Sequence, residues 1–557
     1  MKAAEFNLHD YRIVTEKGKR LLIPVLHPLI PRNDGKIGFD IYNYDMLFND
    51  EPTKKIIREG STIGCFYIES PGMRSLLKRL SCDTFEMLTA ASSVIRPGVA
   101  ESGMMQEFIA RHKNPKLRKY LLPEMEKYLG ETYGVMIYQE DVIKVAHHIA
   151  GLTLEESDFL RRAMSGKLRS HKAMKNISEK FFNSCRMKNI SDKKSLELWR
   201  QIESFAGYAF CKAHSASFAL LSFQVAYLKV HFPAEFMASV LSNGGGYYSA
   251  AVYIQEAKRM GLKILLPNVN ESLFEYSGSN GQIRIGLMAI KNLSENTSQL
   301  ILKERKLNGD FISLSDFLVR THTSYEETAL LIKCGAMDCF GKTRPTLMRL
   351  LDVYISRWKL LSDEIPDLFV NESFQLEREV ETNRQYSIEE ICSIEYELFG
   401  YMVTRHPLEF YSEFLKTKNL IDAKQLSDYQ GKNVPLVGWY MTSKRIKTRK
   451  GEIMKFLSLE DLTGTFEAVL FPKAYEKFAA LTFTMGPYII EGKADTEAGN
   501  NVIVENLSVV SNLDIKSSVQ LDSVEKKYLG DNEKVSEEEL YMAELLNTKK
   551  LVHAYAV

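Results

Sequence analysis

The sequence predicts an α+β fold, mostly helical, that ends in a small β-barrel. Three observations predict it. From about residue 56 to 240, apolar residues recur at helical spacing. Gly244-Gly245-Gly246 then interrupts the chain with its clearest flexible break. Between 430 and 512 the period changes to short runs rich in β-branched and aromatic residues, separated by turn residues.

A chain of 557 residues is too long for one core and divides into about three to five units. Residues 1–55 give an N-terminal segment of unclear fold, in which Leu21-Leu22-Ile23-Pro24-Val25-Leu26 suits a short buried strand. Residues 56–245 form the helical domain. There Tyr138-Gln139-Glu140-Asp141 opens a helix with Val142, Val145, Ala146 and Ile149 on one face, and Gly151 can close it. Ser215 can cap a longer helix carrying Phe218, Leu221, Val225 and Leu228, with Pro233 just past its end.

Residues 246–350 read as short strands and helices, and 351–429 as a charged helical connector with a loop around Pro366. Residues 430–512 hold five β-rich runs: 434–442, 454–459, 465–470, 488–493 and 501–507. Five strands in so short a segment fit a barrel of the OB type. Residues 513–557 are a polar tail.

Composition narrows the function classes. Hydrophobic residues at 45% and charged residues at 26% describe an ordinary globular protein. The sequence has no run of eighteen apolar residues and no secretory h-region, so a membrane partner is not expected. Seven cysteines without a CxxC pair suit a reducing cytoplasm. Cys334 and Cys339 lack a histidine at zinc spacing, which argues against a metal–thiolate site. Adjacent His147 and His148 cannot both face one metal on a helix.

The net charge of +1 hides local polarity. From Leu160 to Arg200 twelve Lys/Arg face three Asp/Glu, and from Lys444 to Lys455 six face Glu452 alone. A polyanion partner accounts for two separated basic zones, and so do two solvated faces.

Two stretches in the helical domain can carry chemistry. In Leu160-Arg161-Arg162-Ala163-Met164-Ser165-Gly166-Lys167, two arginines about 100° apart on a helix offer guanidinium forks to phosphate, and Gly166 can end the helix. Phe205-Ala206-Gly207-Tyr208-Ala209-Phe210-Cys211-Lys212-Ala213-His214-Ser215 offers rings for stacking, a lysine, a histidine and a helix start. Either stretch serves equally well as a structural helix junction.

Taken together with Ile68-Glu69-Ser70-Pro71-Gly72-Met73, Ile95-Arg96-Pro97-Gly98, Tyr133-Gly134-Val135-Met136-Ile137-Tyr138-Gln139-Glu140 and Phe232-Pro233-Ala234-Glu235-Phe236-Met237, these stretches make six ordered motifs. In order and interval they resemble the fingers region of the C-family bacterial DNA polymerase III alpha subunit. Downstream, Cys334-Gly335-Ala336-Met337-Asp338 resembles the family's element near its tandem helix-hairpin-helix region. Leu398-Phe399-Gly400-Tyr401, with His406-Pro407, resembles the segment before its OB-fold. Similarity covers roughly residues 55 to 512.

The resemblance implies a helical fingers domain, a small helix-hairpin-helix-like domain and a C-terminal OB-fold β-barrel. It implies that Arg161, Arg162, Lys212 and His214 receive the phosphates of an incoming deoxynucleoside triphosphate, and that Arg96 and Gln139 support the fingers. Cys211 departs from the polar residue expected there. At Lys291-Asn292-Leu293-Ser294 the family's hairpin glycines are missing, so a close approach of DNA backbone is not expected at that hairpin.

In the barrel, Lys444, Arg445, Lys447, Arg449 and Lys450, beside Trp439 and Tyr440, are expected to bind single-stranded DNA by tracking phosphates and stacking bases. A barrel serving only as a protein contact is the other reading. Asp367, Leu368 and Phe369, in Ile365-Pro366-Asp367-Leu368-Phe369, resemble the family's sliding-clamp-binding peptide with Ile365 in place of its leading glutamine, and equally suit local helix packing.

Polymerisation in this family uses palm carboxylates that hold two metal ions about 3.5–4 Å apart. The family carries an Asp-x-Asp pair and a third aspartate upstream of its fingers. Here the nearest acids, Asp40 and Asp45, lack that spacing and read as loop carboxylates. No catalytic and no metal-ligating residue is therefore assigned. Mg²⁺ is expected only in a complex with a palm-bearing polymerase chain, and none bound by this chain alone. The expected function is a part of a template-directed DNA polymerase, in replication or repair synthesis, that contacts template-primer and nucleotide in the cytoplasm. The alternative is a non-catalytic DNA-binding accessory or scaffold protein derived from one.

Overall fold

A computed structural model describes residues 11–16, 19–24, 41–95, 103–164, 171–205, 211–360, 382–448, 450–497 and 499–510. Arg96, Arg449, Asp40, Gly166, the loop around Pro366 with Asp367, Leu368 and Phe369, and the polar tail lie outside the described residues. Strands β1 (Tyr11–Glu16) and β2 (Lys19–Pro24) pair antiparallel, with Tyr11 opposite Pro24. The rest divides into two compact units, Ile41–His231 and, from Phe232, residues 232–496 with 500–510. The division at His231/Phe232 precedes the glycine triplet, because helix α12 (Pro233–Asn243) packs on strands of the second unit.

The first unit is helical. It contains α1 (Tyr44–Asn49), α2 (Glu51–Arg58), α3 (Pro71–Arg79), α4 (Phe85–Val94), α5 (Met104–Lys113), α6 (Met125–Leu129), α7 (Gln139–Lys144), α8 (Leu154–Met164), α9 (His171–Met187), α10 (Asp192–Phe205) and α11 (Lys212–His231). The segment expected to have an unclear fold thus already contributes α1 and α2 at its end. A helix does run on from α7 to Gly151 as its periodicity predicts, but its last turn, Val145–Ile149, is a π-turn.

Helix α11 is the spine of this unit. It packs against α1, α2 and α4. Its buried residues include Ser215, Ala219, Phe223, Gln224, Ala226 and Leu228, so its burial extends well beyond one stripe. The polar groups this buries are satisfied. Ser93 donates to the Ser215 hydroxyl at 2.7 Å. Lys229 Nζ donates to the carbonyls of Ser61 and Ile63 at 3.0 and 2.8 Å. Ser215 is therefore an interior residue and not the N-cap. The helix begins three residues earlier, at Lys212.

The second unit runs from α12 through α13 (Ala250–Arg259) into a small sheet of β3 (Lys263–Leu265), β5 (Gln282–Arg284) and β4 (Ser277–Ser279). Asn280 and Gly281 turn the β4–β5 hairpin, both at positive φ. Helices α14 (Glu295–Asn308), α15 (Leu314–Thr321), α16 (Tyr325–Lys333) and α17 (Arg344–Leu360) follow. The connector contributes α18 (Ile388–Phe399) and α19 (Ser412–Lys416).

The last element is a closed barrel of β6 (Asn433–Lys447), β7 (Ile453–Glu460), β8 (Thr465–Leu470), β9 (Tyr488–Asp495) and β10 (Asn501–Val509), in the order β10-β8-β7-β6-β9. Only the β10–β8 pair is parallel. Leu436, Leu457, Leu459, Phe466, Ala468, Ile490 and Val502 fill its core, and Tyr475 and Phe478 of α20 (Pro472–Phe478) join it. At Gly438 a Cβ would lie 2.7 Å from that of Leu459, so the strand needs glycine there. The expected α+β, mostly helical architecture with an OB-like barrel is present, and all five strands fall where the sequence places them.

Buried polar contacts fasten the segments of this unit to one another. Arg259 of α13 bonds Glu460 of β7 at 2.7 Å, and the hydroxyls of Tyr276 and Tyr401 meet at 2.6 Å. Glu395 of α18, fully buried, accepts from the N–H groups of Val403 and Thr404 at 2.7 and 2.9 Å and from the Thr404 hydroxyl. Losing that carboxylate leaves buried donors unmade, at about 1–3 kcal/mol each. We expect Glu395→Ala to destabilise the second unit by about 3 kcal/mol in urea unfolding, and Glu395→Gln by less. A change near zero for both would show that the connector is not held by this carboxylate.

Candidate nucleic-acid interface

Helix α7 organises the first candidate site. The Asp141 carboxylate accepts from the N–H groups of Ile137 and Tyr138, each at 3.0 Å, and so closes the start of α7. Burial pushes this carboxyl up to about 6, against the pull of those two N–H groups. With α7 fixed, its first two residues point at two other helices. Gln139 Oε1 accepts from Arg161 Nη1 of α8 at 2.9 Å. Glu140 accepts from the backbone N–H of Lys212 at 2.9 and 3.1 Å. Arg161 and the first turn of α11, about fifty residues apart in sequence, are thereby drawn to the same two-residue segment.

The basic groups here are partnered by carboxylates that the motif reading did not identify. Asp158 lies between Arg161 and Arg162, at 2.8 and 3.0 Å. The hydrogen bond from Arg161, with the charge of Arg162 behind it, holds Asp158 below its ordinary value. Lys212 Nζ bonds both oxygens of Glu131 at 2.6 and 2.7 Å and lies 5.5 Å from the centre of the Tyr138 ring. The Tyr138 hydroxyl is buried without a hydrogen-bond partner, and burial raises its pKa.

Magnitudes separate these pairs. The Lys212–Glu131 and Arg162–Asp158 pairs are each about 40–50% exposed. Exposed pairs of that kind contribute about 0–1 kcal/mol, so an incoming polyanion displaces them at small cost. Arg161 is only 21% exposed and held from two sides, which makes it the fixed member of the group. His214 stands apart. Its ring packs 4.2 Å from that of Phe218, in an aromatic group with Phe66 and Tyr67, and two residues place it about 200° around the helix from Lys212. The anion site expected at the start of α11 is filled by Glu140.

The barrel presents the second candidate. A bulge interrupts the β6–β7 register between Tyr440 and Thr442, and beyond it β6 carries Lys444, Arg445 and Lys447 along an arm paired to β7. Lys444, Lys447 and Lys450 are exposed. Trp439 corrects the expectation of a base-stacking ring. It is 7% exposed, packed with Leu408, Tyr411 and Val510, because the connector covers that outer face of the barrel. A covered ring offers no face to a base.

The third place is the hairpin before α14. Asn292 takes up the left-handed conformation, φ +65°, at the position where glycine is missing. The start of α14 is occupied. Glu327 of α16 accepts from the Ser294 N–H at 2.9 Å and from the Thr297 hydroxyl at 2.7 Å, while Ser294 Oγ caps the Thr297 N–H. A carboxylate of the chain itself thus takes up donors at the start of this helix.

The chain resembles known proteins over most of its length. Residues 23–189 match the bacterial DNA polymerase III alpha subunit finger domain, and residues 261–347 match a helix-hairpin-helix motif. The DNA polymerase III subunit alpha of Staphylococcus epidermidis (strain ATCC 12228) is 32% identical over 475 residues, 85% of this chain and 44% of the relative. That of Staphylococcus aureus (strain MRSA252) is 31% identical over 491 residues, 87% of this chain and 45% of the relative. Over these spans the chain is similar to the bacterial DNA polymerase III alpha subunit. It spans slightly less than half the length of these curated relatives.

Among the described residues no group of three or more His, Cys, Asp or Glu side chains is placed to hold a metal ion. Asp45 is an exposed residue in the first turn of α1. Among the described residues no helix is long and apolar enough to cross a membrane. All seven cysteines are free thiols, and Cys334 and Cys339 hydrogen-bond separate carbonyls.

Burial works against ionisation of Glu327, but the hydrogen bonds from Thr297 and Ser294 prevail and hold its carboxyl below the ordinary range. A depressed carboxyl stabilises the fold above its unfolded pKa, and that contribution is lost as pH falls through the folded value. Glu327→Ala is expected to cost about 1–2 kcal/mol at neutral pH and progressively less in acid, measured by urea unfolding. A cost that stays constant below pH 4 would contradict the capping role.

Proposed function

We propose that this chain supplies nucleotide and DNA contacts to a template-directed DNA polymerase, acting in the cytoplasm in replication or repair synthesis. The observation that carries the reading is the junction at Gln139-Glu140, which draws Arg161 and the Lys212 helix to one segment of the finger-domain match. Arg161 and Arg162 would fork onto the triphosphate of an incoming deoxynucleotide, with Lys212 adding a point charge once Glu131 is displaced. His214 keeps a secondary place in this scheme, given its packing against Phe218.

On this reading the basic arm of β6, Lys444, Arg445 and Lys447 with Arg449 and Lys450 beyond it, tracks single-stranded DNA phosphates without help from Trp439. Asp367, Leu368 and Phe369 would engage a sliding clamp. The metal-dependent step would come from a palm-bearing chain that holds Mg²⁺.

One observation favours the second reading, a DNA-binding accessory protein. Each basic group of the nucleotide-site set that has a described ion pair already faces a carboxylate, Asp158 or Glu131. Binding separates the two. On the polymerase reading, Arg162→Ala weakens deoxynucleotide binding by about tenfold, the loss of one charge-assisted contact of about 1.5 kcal/mol, and leaves DNA binding nearly unchanged. Lys447→Ala does the reverse. With Mg²⁺ and four nucleotides, primer extension is expected only after a palm-bearing chain is added. DNA binding without any nucleotide binding would favour the accessory protein. Equal losses on both ligands would leave only a diffuse basic surface, and extension by the chain alone would return Asp40 and Asp45 to consideration.

A further inference from the structure

The stretch from Arg111 to Lys119 holds five Lys/Arg, one histidine and no acid, and neither candidate site uses it. Its basic residues divide into two sets by what they touch. Arg111, His112 and Arg118 are spent on holding the loop in place, and Arg111 also pairs with Glu107 at 2.8 Å. Arg111 Nη1 donates to the carbonyls of Lys119 and Tyr133 at 2.9 and 2.7 Å. His112 bridges the Tyr133 hydroxyl and the Leu80 carbonyl at 3.0 and 2.9 Å. Arg118 Nε donates to the Arg111 carbonyl, and its guanidinium lies 4.3 Å from the centre of the Tyr133 ring.

The loop closes against Gly134, where a Cβ would lie 2.9 Å from both Arg111 Nη1 and the Tyr120 ring and where φ is +80°. Asn114 caps the 3₁₀ turn Pro115–Leu117 by accepting from the Lys116 N–H. The result is a pinned loop rather than a tether.

The other set is Lys113, Lys116 and Lys119. All three are exposed, and among the described residues none is in an ion pair. Burial, and behind it the charges of Arg118 and Lys113, holds His112 below its ordinary value. Three exposed ammonium groups on a rigid backbone, in no described ion pair, suit a regular row of phosphates. An acidic peptide would be matched as well by flexible lysines and has no use for the fixed loop.

We propose that the Lys113–Lys119 loop is a phosphodiester-backbone contact of this chain, outside both the Arg161/Lys212 group and the barrel arm. The inference rests on the DNA-contacting reading above and adds a third surface to it. Phosphate contacts by lysine act through counterion release, so each adds about 0.7 to the salt slope on single strands and about 0.9 on duplex. They weaken all sequences alike when removed.

The test is DNA binding by the full chain, in single-stranded and duplex form, across a salt series. The triple variant Lys113→Ala, Lys116→Ala, Lys119→Ala should bind at least about tenfold more weakly at low salt, with a log–log slope smaller by about two to three. The ratio of the two slope changes tells which form the loop holds. The triple Lys→Arg variant should retain binding, and nucleotide affinity should not move in either variant. If the alanine variant keeps the wild-type slope while wild type binds DNA, the loop assignment is overturned and the DNA reading stands. If wild type binds no DNA, both fall. Competition by polyglutamate as effective as that by DNA of equal charge would reduce the loop to a general polyanion surface and overturn the inference.

Discussion

Helix α11 packs against α1, α2 and α4, and its first N–H group is closed by a carboxylate from another helix. That carboxylate, Glu140, follows Gln139, which holds Arg161. Next in sequence, Asp141 fixes the start of α7 by accepting two backbone N–H groups. A short ladder of dependence results. Asp141 orders α7, α7 positions Gln139 and Glu140, and these set Arg161 and the start of α11. Because the two contacts come from consecutive residues, a slip of one residue in α7 would break both together. Burying Asp141 is costly for a carboxylate, and the two N–H groups it accepts are what make it tolerable.

A second theme is internal neutralisation. The basic groups and helix starts considered above are occupied or flanked by the chain's own acids: Glu140 at the start of α11, Glu327 at the start of α14, Asp158 between two arginines, Glu131 on Lys212. They are not equivalent. Glu140 and Glu327 satisfy backbone donors that would otherwise be orphaned, so they behave as structure. Asp158 and Glu131 form exposed pairs of small net worth and yield readily to a stronger anion.

Much of this was legible in the sequence, for identifiable reasons. The five barrel strands appear as five short β-rich runs bounded by turns, since alternate residues face the Leu436–Leu457 core. The Asp158–Arg161–Arg162 pairing was missed, although its i+3 and i+4 spacing was the signal that could have found it. The start of α11 was not legible. Ser215 is a good N-cap by residue type, but the choice of Lys212 is made by Glu140, 72 residues away. Trp439 failed for a similar reason. Strand alternation sends it out of the barrel, yet only the docked connector, through Leu408 and Tyr411, decides that the outside is covered.

On the proposed function, Arg161, Arg162 and Lys212 act as one anion-receiving group organised by α7. Hydrogen–deuterium exchange of the full chain with and without a deoxynucleoside triphosphate tests it most directly. Slowed exchange should appear together in residues 137–144, 158–164 and 211–216, with no change in the barrel arm at 444–455. Slowing confined to the barrel arm, or to only one of the three helical segments, would contradict the account.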